Sequence, residues 1–315
     1  MRVYLFCCEK TENGGGIYSC ELTESGLLER TEFFPCDRPM YAAKCDKGLC
    51  VLLRQPFADS QNSGYFFIDK DLKNPSEIKD AKGLVACHLA VDKQDTYIVN
   101  YISGNIVKNG EKVAQRHGKS VNLARQTAPH THFVAQTPDG YLAVCDLGTD
   151  TLAIYDKDLR LVSEAKVPSG YGIRHLTFSK DGKYIYAVSE LVPAVNIFKY
   201  EKGKAEIFDS VKIDCKNEKA SGAAIRLSDD GKFLYVSVRE ENAICVFAAE
   251  GEKLTFLQTA DCGGDSPRDF DIIGNYALVT NEFSGGAVVF KLNCGLIGEV
   301  VGRFSCAHPL CVVKY

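Results

Sequence analysis

One pattern occurs seven times along the sequence, and this repeat restricts the possible folds more than any other feature. Each copy has an anchor residue, an apolar alternating run, a turn, a second alternating run with a polar end, and a third run. The anchors are Pro39, Cys87, His132, Arg174, Ala223, Arg268 and about His308. Successive anchors are 40 to 49 residues apart, which is typical of the four-stranded blades of a β-propeller.

Within each copy the apolar residues alternate with a period of two, as in residues 184–188. This period is typical of β-strands. Three copies place Asp-Gly between the first two runs, at Asp139-Gly140, Asp181-Gly182 and Asp230-Gly231. Asp-Gly favours a two-residue hairpin turn in which both residues have positive φ. The sequence therefore predicts an all-β chain.

The two ends of the sequence complement each other. Residues 308–315 supply one strand, whereas residues 2–8, 16–22 and 28–34 supply three strands before the first anchor. Together they complete a blade, and pairing of the N- and C-terminal strands removes the edges of an open array. We predict one domain over residues 1–315, a seven-bladed β-propeller with four antiparallel strands per blade. A pair of β-sandwiches or a solenoid is the alternative, but a solenoid does not need complementary ends.

Composition excludes several classes of protein. The net charge of −4 and the lack of a Lys/Arg cluster argue against nucleic-acid binding. No apolar run approaches the roughly 18 residues of a membrane span, and the N-terminal run is too short for a signal peptide. The 14 cysteines contain no Cys-x-x-Cys and most lie in apolar runs, which indicates buried, reduced thiols. We expect a cytoplasmic protein without a cofactor, as a monomer or weak homodimer.

In a propeller the first strand of each blade lines the central channel, so each anchor and the end of the second strand meet at one mouth. The residues at the anchors are His88, His130, His132, Arg174, His175 and Arg268. The residues at the ends of the second strands are Asn100, Asp146, Glu190, Arg239 and Asn281. Arginine is unfavourable in a channel unless it binds an anion. This mouth is therefore predicted to receive an anionic ligand.

Structural roles compete with functional ones at several of these positions. Asp146 also fits a strand-end turn held by side-chain to backbone hydrogen bonds. His88 and His175 also fit buried histidines that bridge neighbouring blades. His130 and His132 share a strand face, but no carboxylate lies at ligand spacing, and we predict no metal site.

Several motifs resemble the propeller-type lactonase family that includes bacterial 6-phosphogluconolactonase. They are Pro-His-Thr-His at 129–132, Asp-Leu-Gly-Thr-Asp at 146–150, Arg-His-Leu-Thr-Phe-Ser at 174–179 and Pro-Arg-Asp-Phe at 267–270. The resemblance implies a seven-bladed propeller that opens or closes a lactone ring on an anionic substrate. The catalytic positions that it implies match His132, Arg174, Glu190 and Arg268. The first 80 residues match by period only, and the second run of the first copy ends in Leu52-Leu53-Arg54-Gln55 instead of Asn-Glu.

Together with the predicted anionic ligand, the resemblance implies hydrolysis of an anionic sugar lactone, 6-phosphogluconolactone of the pentose phosphate pathway. Either Glu190 or His132 is the general base, and the absence of Gly-x-Ser-x-Gly fits a mechanism without a covalent nucleophile. The predicted substrate-binding residues are His88, His130, Asp146, His175 and Asn281. Two alternatives stay open. One is a non-catalytic propeller that binds a ligand or protein through exposed aromatic residues, and the other is a muconate-type lactonizing cyclase.

Overall fold

The computed structural model describes residues 1–315, and its strands form seven antiparallel sheets of four strands each. The chain begins with β1 (Arg2–Cys7), β2 (Gly16–Leu22) and β3 (Leu28–Pro35). Blade 1 contains β4 (Pro39–Cys45), β5 (Gly48–Leu53), β6 (Gly64–Ile68) and β7 (Lys79–Asp80). Blade 2 contains β8 (Ala86–Asp92), β9 (Asp95–Asn100), β10 (Asn105–Lys108) and β11 (Lys112–Gln115). Blade 3 contains β12 (Thr131–Gln136), β13 (Leu142–Asp146), β14 (Thr151–Tyr155) and β15 (Leu161–Lys166).

The second half of the chain continues the same order. Blade 4 contains β16 (Ile173–Phe178), β17 (Tyr184–Ser189), β18 (Ala194–Glu201) and β19 (Lys204–Lys212). Blade 5 contains β20 (Ser221–Leu227), β21 (Phe233–Arg239), β22 (Ala243–Glu250) and β23 (Lys253–Asp261). Blade 6 contains β24 (Pro267–Ile273), β25 (Tyr276–Asn281), β26 (Gly286–Asn293) and β27 (Leu296–Ser305), and β28 (Pro309–Lys314) ends the chain. The helical structure is limited to two 3₁₀ turns, Thr11–Asn13 and Leu147–Thr149.

The ring closes through the two termini of the chain. The seventh sheet has the order β28-β1-β2-β3, and we call it the closing blade. Its β1 and β28 pair in antiparallel register, with Leu5 opposite Val312. The N–H of Tyr315 also donates to the carbonyl of Arg2 at 2.9 Å. The seven-bladed all-β prediction and its terminal closure are confirmed.

The core lies between neighbouring blades, because each sheet packs one face against the next. One apolar cluster joins Leu5 and Val312 of the closing blade to Leu278 and Val289 of blade 6. Inner strands such as β5 are buried at every position, whereas the outermost β3 is mainly exposed. Cys20, Cys145, Cys245 and Cys311 are buried among these apolar residues, as predicted.

The Asp-Gly turns differ from the predicted two-residue form. In all three turns only the glycine has positive φ, at 90° for Gly140, 71° for Gly182 and 79° for Gly231. The aspartate instead accepts a hydrogen bond from a hydroxyl two residues earlier, as in Thr137 Oγ1 to Asp139 Oδ1 at 2.6 Å. The turns lie at the mouth opposite the anchors, because they join the far ends of the first and second strands of each blade. No helix in the structure is long and apolar enough to cross a membrane.

Ring closure predicts that the closing blade unfolds together with the other six. Replacing the fully buried Leu5 by Ala should lower the free energy of unfolding by about 2–5 kcal/mol, because the cavity removes packing against blade 6. Replacing Leu27, which is 47% exposed, by Ala should change the free energy of unfolding by about 0.5 kcal/mol or less. Urea unfolding followed by fluorescence and by circular dichroism measures both. A separate early transition in Leu5→Ala would contradict a closed cooperative ring.

Candidate active site

Every innermost strand begins with a β-bulge, and the bulges bring the anchor residues together. In blade 4, Ile173 pairs with Ser189 and His175 pairs with Val188, so Arg174 is the extra residue. The extra residues of the other blades are Met40, Cys87, His132, Ala223 or Ala224, Arg268 and Leu310. A bulge interrupts the alternation of side chains and re-aims one of them. Consecutive residues such as Arg174 and His175 therefore both line the channel.

The register corrects the predicted positions of several anchors. The equivalent residue in blade 1 is Met40 rather than Pro39, and that of the closing blade is Leu310 rather than His308. Asn100, Asp146 and Asn281 align with Ser189, one residue before the position of Glu190. The position of Glu190 itself is occupied in the other blades by Arg54, Tyr101, Leu147, Arg239, Glu282 and Cys8.

Glu190 lies at the centre of an arginine cluster formed with Arg125, Arg174 and Arg239. Its Oε1 accepts from Arg125 Nη2 at 2.6 Å, and its Oε2 accepts from Arg174 Nε at 3.0 Å. Arg239 Nη2 lies 3.2 Å from the same Oε2. Burial alone would raise the pKa of Glu190, but the charges of Arg239, Arg174 and Arg125 outweigh it and hold that pKa well below its usual range. Glu190 is therefore a fixed anion.

Arg174 is a buried cation whose Nη2 group is free. Its Nη1 donates to the carbonyl of Ala223 at 2.6 Å and its Nε donates to Glu190, while Nη2 has no partner in the protein. Burial, followed by the charges of Arg268 and Arg239, lowers the pKa of Arg174 to about 9. The guanidinium is still protonated at neutral pH, but its charge is only partly balanced. An incoming anion would stabilise it.

Arg268 reaches the same cavity from blade 6 and is more accessible. Its Nη1 donates to Glu282 at 3.3 Å, and about a quarter of its side chain, 27%, is exposed. Arg268, Arg174, His132 and Cys87 line a narrow space of about 20 Å³, enough for one water molecule. The structure thus brings three of the predicted catalytic residues, His132, Arg174 and Arg268, to one space. The fourth, Glu190, adjoins it through its hydrogen bond from Arg174.

His132 supplies a neutral imidazole beside these cations. Its ring is buried, and neither nitrogen has a hydrogen-bond partner in the protein. Burial and then the charge of Arg174 lower the pKa of His132 well below 6.5, against the opposing effect of Glu190. The imidazole is consequently neutral at pH 7 and has a lone pair available.

His175 and His88 lie deeper in the channel, where their rings pack against other aromatic rings at tilted or edge-on angles. His88 is placed between Tyr41 and Phe133, with ring centroids 4.1 and 3.8 Å apart. His175 contacts both His88 and His132, at centroid distances of 5.6 and 5.3 Å. His175 lines the space beside Arg174, whereas His88 lines an open cavity of about 460 Å³ at the opposite mouth. Of these two predicted substrate-binding residues, only His175 adjoins the arginine cluster.

The other predicted substrate-binding residues lie outside the arginine cluster. Asp146 is fully buried and accepts from the N–H groups of His130 and Gly148, which is the turn-organising role weighed above. It also accepts from Arg116 Nε at 3.0 Å. Asn281 donates to the carbonyl of Cys262 at 3.2 Å. His130 stacks on Tyr101, which in turn contacts His132.

Arg125 is a site residue that the repeat could not reveal. It lies in the connection between β11 and β12, residues 116–130, and it reaches over the mouth to Tyr101 and Glu190. Gln126 anchors this connection, because its buried amide donates to the carbonyl of Leu147 and to Asp150. The only signal in the sequence is the unusual length of the segment between two strands. Arg239, by contrast, lies at the end of the second strand of its blade, where the repeat predicts a residue at the mouth.

A second pocket, of larger volume, lies away from the arginine cluster. A larger groove of about 780 Å³ lies at the outer strands of blade 4, between Lys183 and Glu206. Its charged side chains are highly exposed, as in the pair Lys202–Glu201 at 87% and 82%. Exposed ion pairs of this kind contribute little energy, whereas buried charges cost free energy and need a reason. The buried cluster at the anchor mouth is therefore the candidate active site.

The chain is similar to known proteins over almost its whole length. A family model described as "Lactonase, 7-bladed beta-propeller" matches residues 2–314. The chain belongs to this lactonase family. An uncharacterized protein of Lactococcus lactis subsp. cremoris (strain MG1363) is 30% identical over 303 residues, which cover 87% of each chain. An uncharacterized protein of Staphylococcus aureus (strain bovine RF122) is 29% identical over 315 residues, 90% of each chain.

Solved structures of similar proteins share the whole ring. A proposed 6-phosphogluconolactonase of Bacteroides fragilis is 26% identical with a TM-score of 0.89, covering 99% of this chain and 97% of that one. The periplasmic gluconolactonase PpgL of Pseudomonas aeruginosa is 21% identical with a TM-score of 0.87 and covers 99% of this chain and 98% of its own. At that identity the second comparison supports the fold alone. Membership of the lactonase family supports hydrolase activity on lactones.

The buried histidines of this lactonase-family chain predict that acid destabilises it. Burial lowers the pKa of His88, His132 and His175 well below 6.5 in the folded state. Between those values and 6.5 the unfolded chain binds more protons, so the free energy of unfolding falls as pH falls. Each histidine should contribute about 1.4 kcal/mol per pH unit in that window.

Urea unfolding between pH 7.5 and 5.5 measures this dependence. His88→Phe should remove one histidine's share of the slope while it keeps an aromatic ring between Tyr41 and Phe133. His117→Gln, at an exposed position, is the control and should leave the slope unchanged. An identical slope in wild type and His88→Phe would show that His88 takes up its proton at the same pH in the folded and unfolded states, which would contradict a lowered pKa.

Proposed function

We propose that this protein hydrolyses an anionic sugar lactone, with 6-phosphogluconolactone as substrate and 6-phosphogluconate as product, in the cytoplasmic pentose phosphate pathway. The observation that carries the proposal is the placement of Arg174 and Arg268, two cations of one narrow cavity, beside the neutral imidazole of His132. These groups match the needs of lactone opening: a grip on an anion, a donor for the developing oxyanion and a base for water.

The charge of the site favours an anionic substrate. Four guanidinium groups, those of Arg125, Arg174, Arg239 and Arg268, face the two carboxylates of Glu190 and Glu282. The protein as a whole is negative, at −4, so the positive charge is local to this mouth. Local positive potential raises the concentration and binding of anions at the site. Guanidinium groups bind phosphate and carboxylate with bidentate geometry.

His132 is the better candidate for the general base. The carboxylate of Glu190 is occupied by three guanidinium groups, and its lowered pKa makes it a weak base. His132 is neutral and has free ring nitrogens. A base with an unprotonated, unpaired nitrogen can accept a proton from water. Glu190 then acts by orienting Arg174 and by balancing the charge of the cluster.

The reaction proceeds in two steps in this proposal. His132 takes a proton from water as the water oxygen attacks the lactone carbonyl carbon, and the free Nη2 of Arg174 donates to the resulting oxyanion. The ring C–O bond then breaks, and the imidazolium returns its proton to the departing alkoxide. The product is an open-chain hydroxy acid, which ionises. No covalent intermediate with the protein is formed.

A non-catalytic binding role is less consistent with the mouth. It requires exposed aromatic rings, and only Phe283 is strongly exposed, at 60%. Tyr101 is stacked on His130 and its hydroxyl accepts from Arg125. The lactonizing cyclase would use the same arginines, so the two enzymatic roles are separated by assay. Acid release from freshly prepared 6-phosphogluconolactone above the spontaneous rate supports the hydrolase. Acceleration of ring closure on an unsaturated diacid, without lactone hydrolysis, would support the cyclase.

Substitution of the cluster should abolish most of the activity. We expect Arg174→Ala and Glu190→Gln each to lower kcat/KM for the lactone by about a hundredfold or more, because oxyanion stabilisation and the orientation of its donor are lost. Since breaking a buried ion pair costs about 3–5 kcal/mol, circular dichroism must show that each variant is folded. Lys183→Ala, at an exposed position of the opposite mouth, is the control. Wild-type rates in both folded variants would overturn the site assignment.

The assignment of the base predicts the pH dependence of kcat/KM. Because the pKa of His132 lies well below 6.5, the rate should be constant between about pH 6.5 and 8 and should decline only at lower pH as His132 becomes protonated. Replacement of Glu190 by Gln removes a charge that raises this pKa, so the residual activity should decline at still lower pH. Initial rates from pH 5 to 8, corrected for spontaneous hydrolysis, measure both profiles. A decline in activity centred above pH 6.5 would argue against a buried neutral His132.

A further inference from the structure

Two arginines at the same mouth have no carboxylate partner. Arg38 precedes β4, and Arg54 directly follows β5, in the blade whose sequence departs from the family pattern. The ion pairs at this mouth use Arg125, Arg174, Arg239 and Arg268, whereas Arg38 and Arg54 have no carboxylate oxygen within 4.0 Å. Arg54 is exposed, and Arg38 is half-buried. Both charges are thus available to a ligand.

Backbone and side-chain contacts hold these two residues together. The N–H of Arg54 donates to the carbonyl of Arg38 at 3.0 Å. Arg38 Nη1 faces Gln55 Oε1 at 3.4 Å, a long and weak contact. The N–H of Arg38 donates to the carbonyl of Glu9 at 2.7 Å, which ties it to the closing blade. The pair is therefore fixed at the junction of blade 1 and the closing blade.

The same junction brings the pair close to Arg268. Cys8 lies there, with its Sγ 3.4 Å from the Sδ of Met40, and Met40 lines the central space with Arg268. Burial raises the pKa of Cys8 to about 11, and the positive charges of Arg54, Arg268 and Arg38 oppose that rise. Arg38 and Arg54 of blade 1 thus lie three blades away from Glu190, and Arg268 of blade 6 lies two blades away from it, between the pair and the arginine cluster.

Arg38 also carries one feature that costs free energy in the absence of a hydrogen-bond partner. Its φ of 49° is not that feature, because Val85, Ser266 and His308, which precede other innermost strands, have the same left-handed conformation. The Nε of Arg38 is buried without a hydrogen-bond partner in the protein. Buried donors are rarely left unpaired in native proteins, so this one needs an explanation. An oxyanion at this position would satisfy the unpaired donor.

We propose that Arg38 and Arg54, together with Arg268, form a phosphate-binding subsite that selects lactones with a phosphate group remote from the reacting carbonyl. The inference rests on the proposed function and names the part of the site that sets substrate class. The lactone carbonyl lies beside His132 and Arg174, and the phosphate extends toward blade 1. A phosphate carries more charge than a carboxylate and accepts bidentate hydrogen bonds from guanidinium groups. A neutral sugar lactone has nothing to place there.

Two substrates that differ only in the phosphate test the subsite. The measurement is kcat/KM for 6-phosphogluconolactone and for unphosphorylated glucono-δ-lactone, in wild type, Arg38→Ala and Arg54→Ala. Each substitution should lower kcat/KM for the phosphorylated lactone by about tenfold or more, mainly through KM, because a charge-assisted hydrogen bond is lost. The neutral lactone should change by about threefold or less. Arg160→Ala, which removes the same charge at an exposed turn of blade 3, is the control.

A binding measurement separates this inference from the proposed function. Calorimetric titration with 6-phosphogluconate and with gluconate should show tighter binding of the phosphorylated compound, and Arg54→Ala should remove most of that difference. If wild type hydrolyses neither lactone but keeps this preference, the proposed function fails while the subsite stands. Equal effects of Arg54→Ala on both compounds, or no effect on either, overturn the subsite. Arg54→Lys, which retains the charge, should recover part of the preference for the phosphorylated compound. If Arg38→Ala does not fold, the two Arg54 variants still test the subsite.

Discussion

The bulge at the start of each innermost strand is the constraint on which the rest of this site depends. A regular strand sends alternate side chains to opposite faces, so neighbours such as Arg174 and His175 would otherwise point apart. The extra residue places both in the channel. All seven blades have this bulge, and they are arranged around one axis. The bulges therefore bring together residues that are 40 or more positions apart in sequence. Closure by β28 and β1 holds this ring at a fixed diameter.

Burial then determines how the collected groups behave. Removing charged groups from water is costly unless they are paired. Here ion pairing and burial have opposite effects on the pKa of Glu190 and on that of Arg174. Glu190 remains an anion because three guanidinium groups surround it. The charge of Arg174 is only partly balanced by its neighbours. His132 stays neutral because it is buried and because protonation would add a charge beside Arg174. The site is thus prepared for an anion and holds a base in its unprotonated form.

Some parts of the site could be predicted from sequence because they occupy repeat positions. His132, Arg174 and Arg268 were found by comparing the same position in different copies, and the structure brings them together. Asp146 and Asn281 were placed with Glu190, although their positions are one residue earlier. With a period of two, that offset turns a side chain away from the mouth and toward the backbone of the neighbouring connection. Arg125 lies between strands, where no periodicity applies, and only the fold carries it to Glu190.

The sequence by itself determined the architecture: seven blades, all-β structure and closure by the termini. The period of the apolar residues is a local property of the chain, and the strands that each end supplies can be counted along it. It also determined which few positions differ among the copies. The tertiary structure decided what those residues do. Whether Glu190 is a base or a fixed anion depends on the guanidinium groups around it, and these come from three separate parts of the chain. Electrostatic energy depends on distance and burial in space, and neither quantity can be read from order along the sequence.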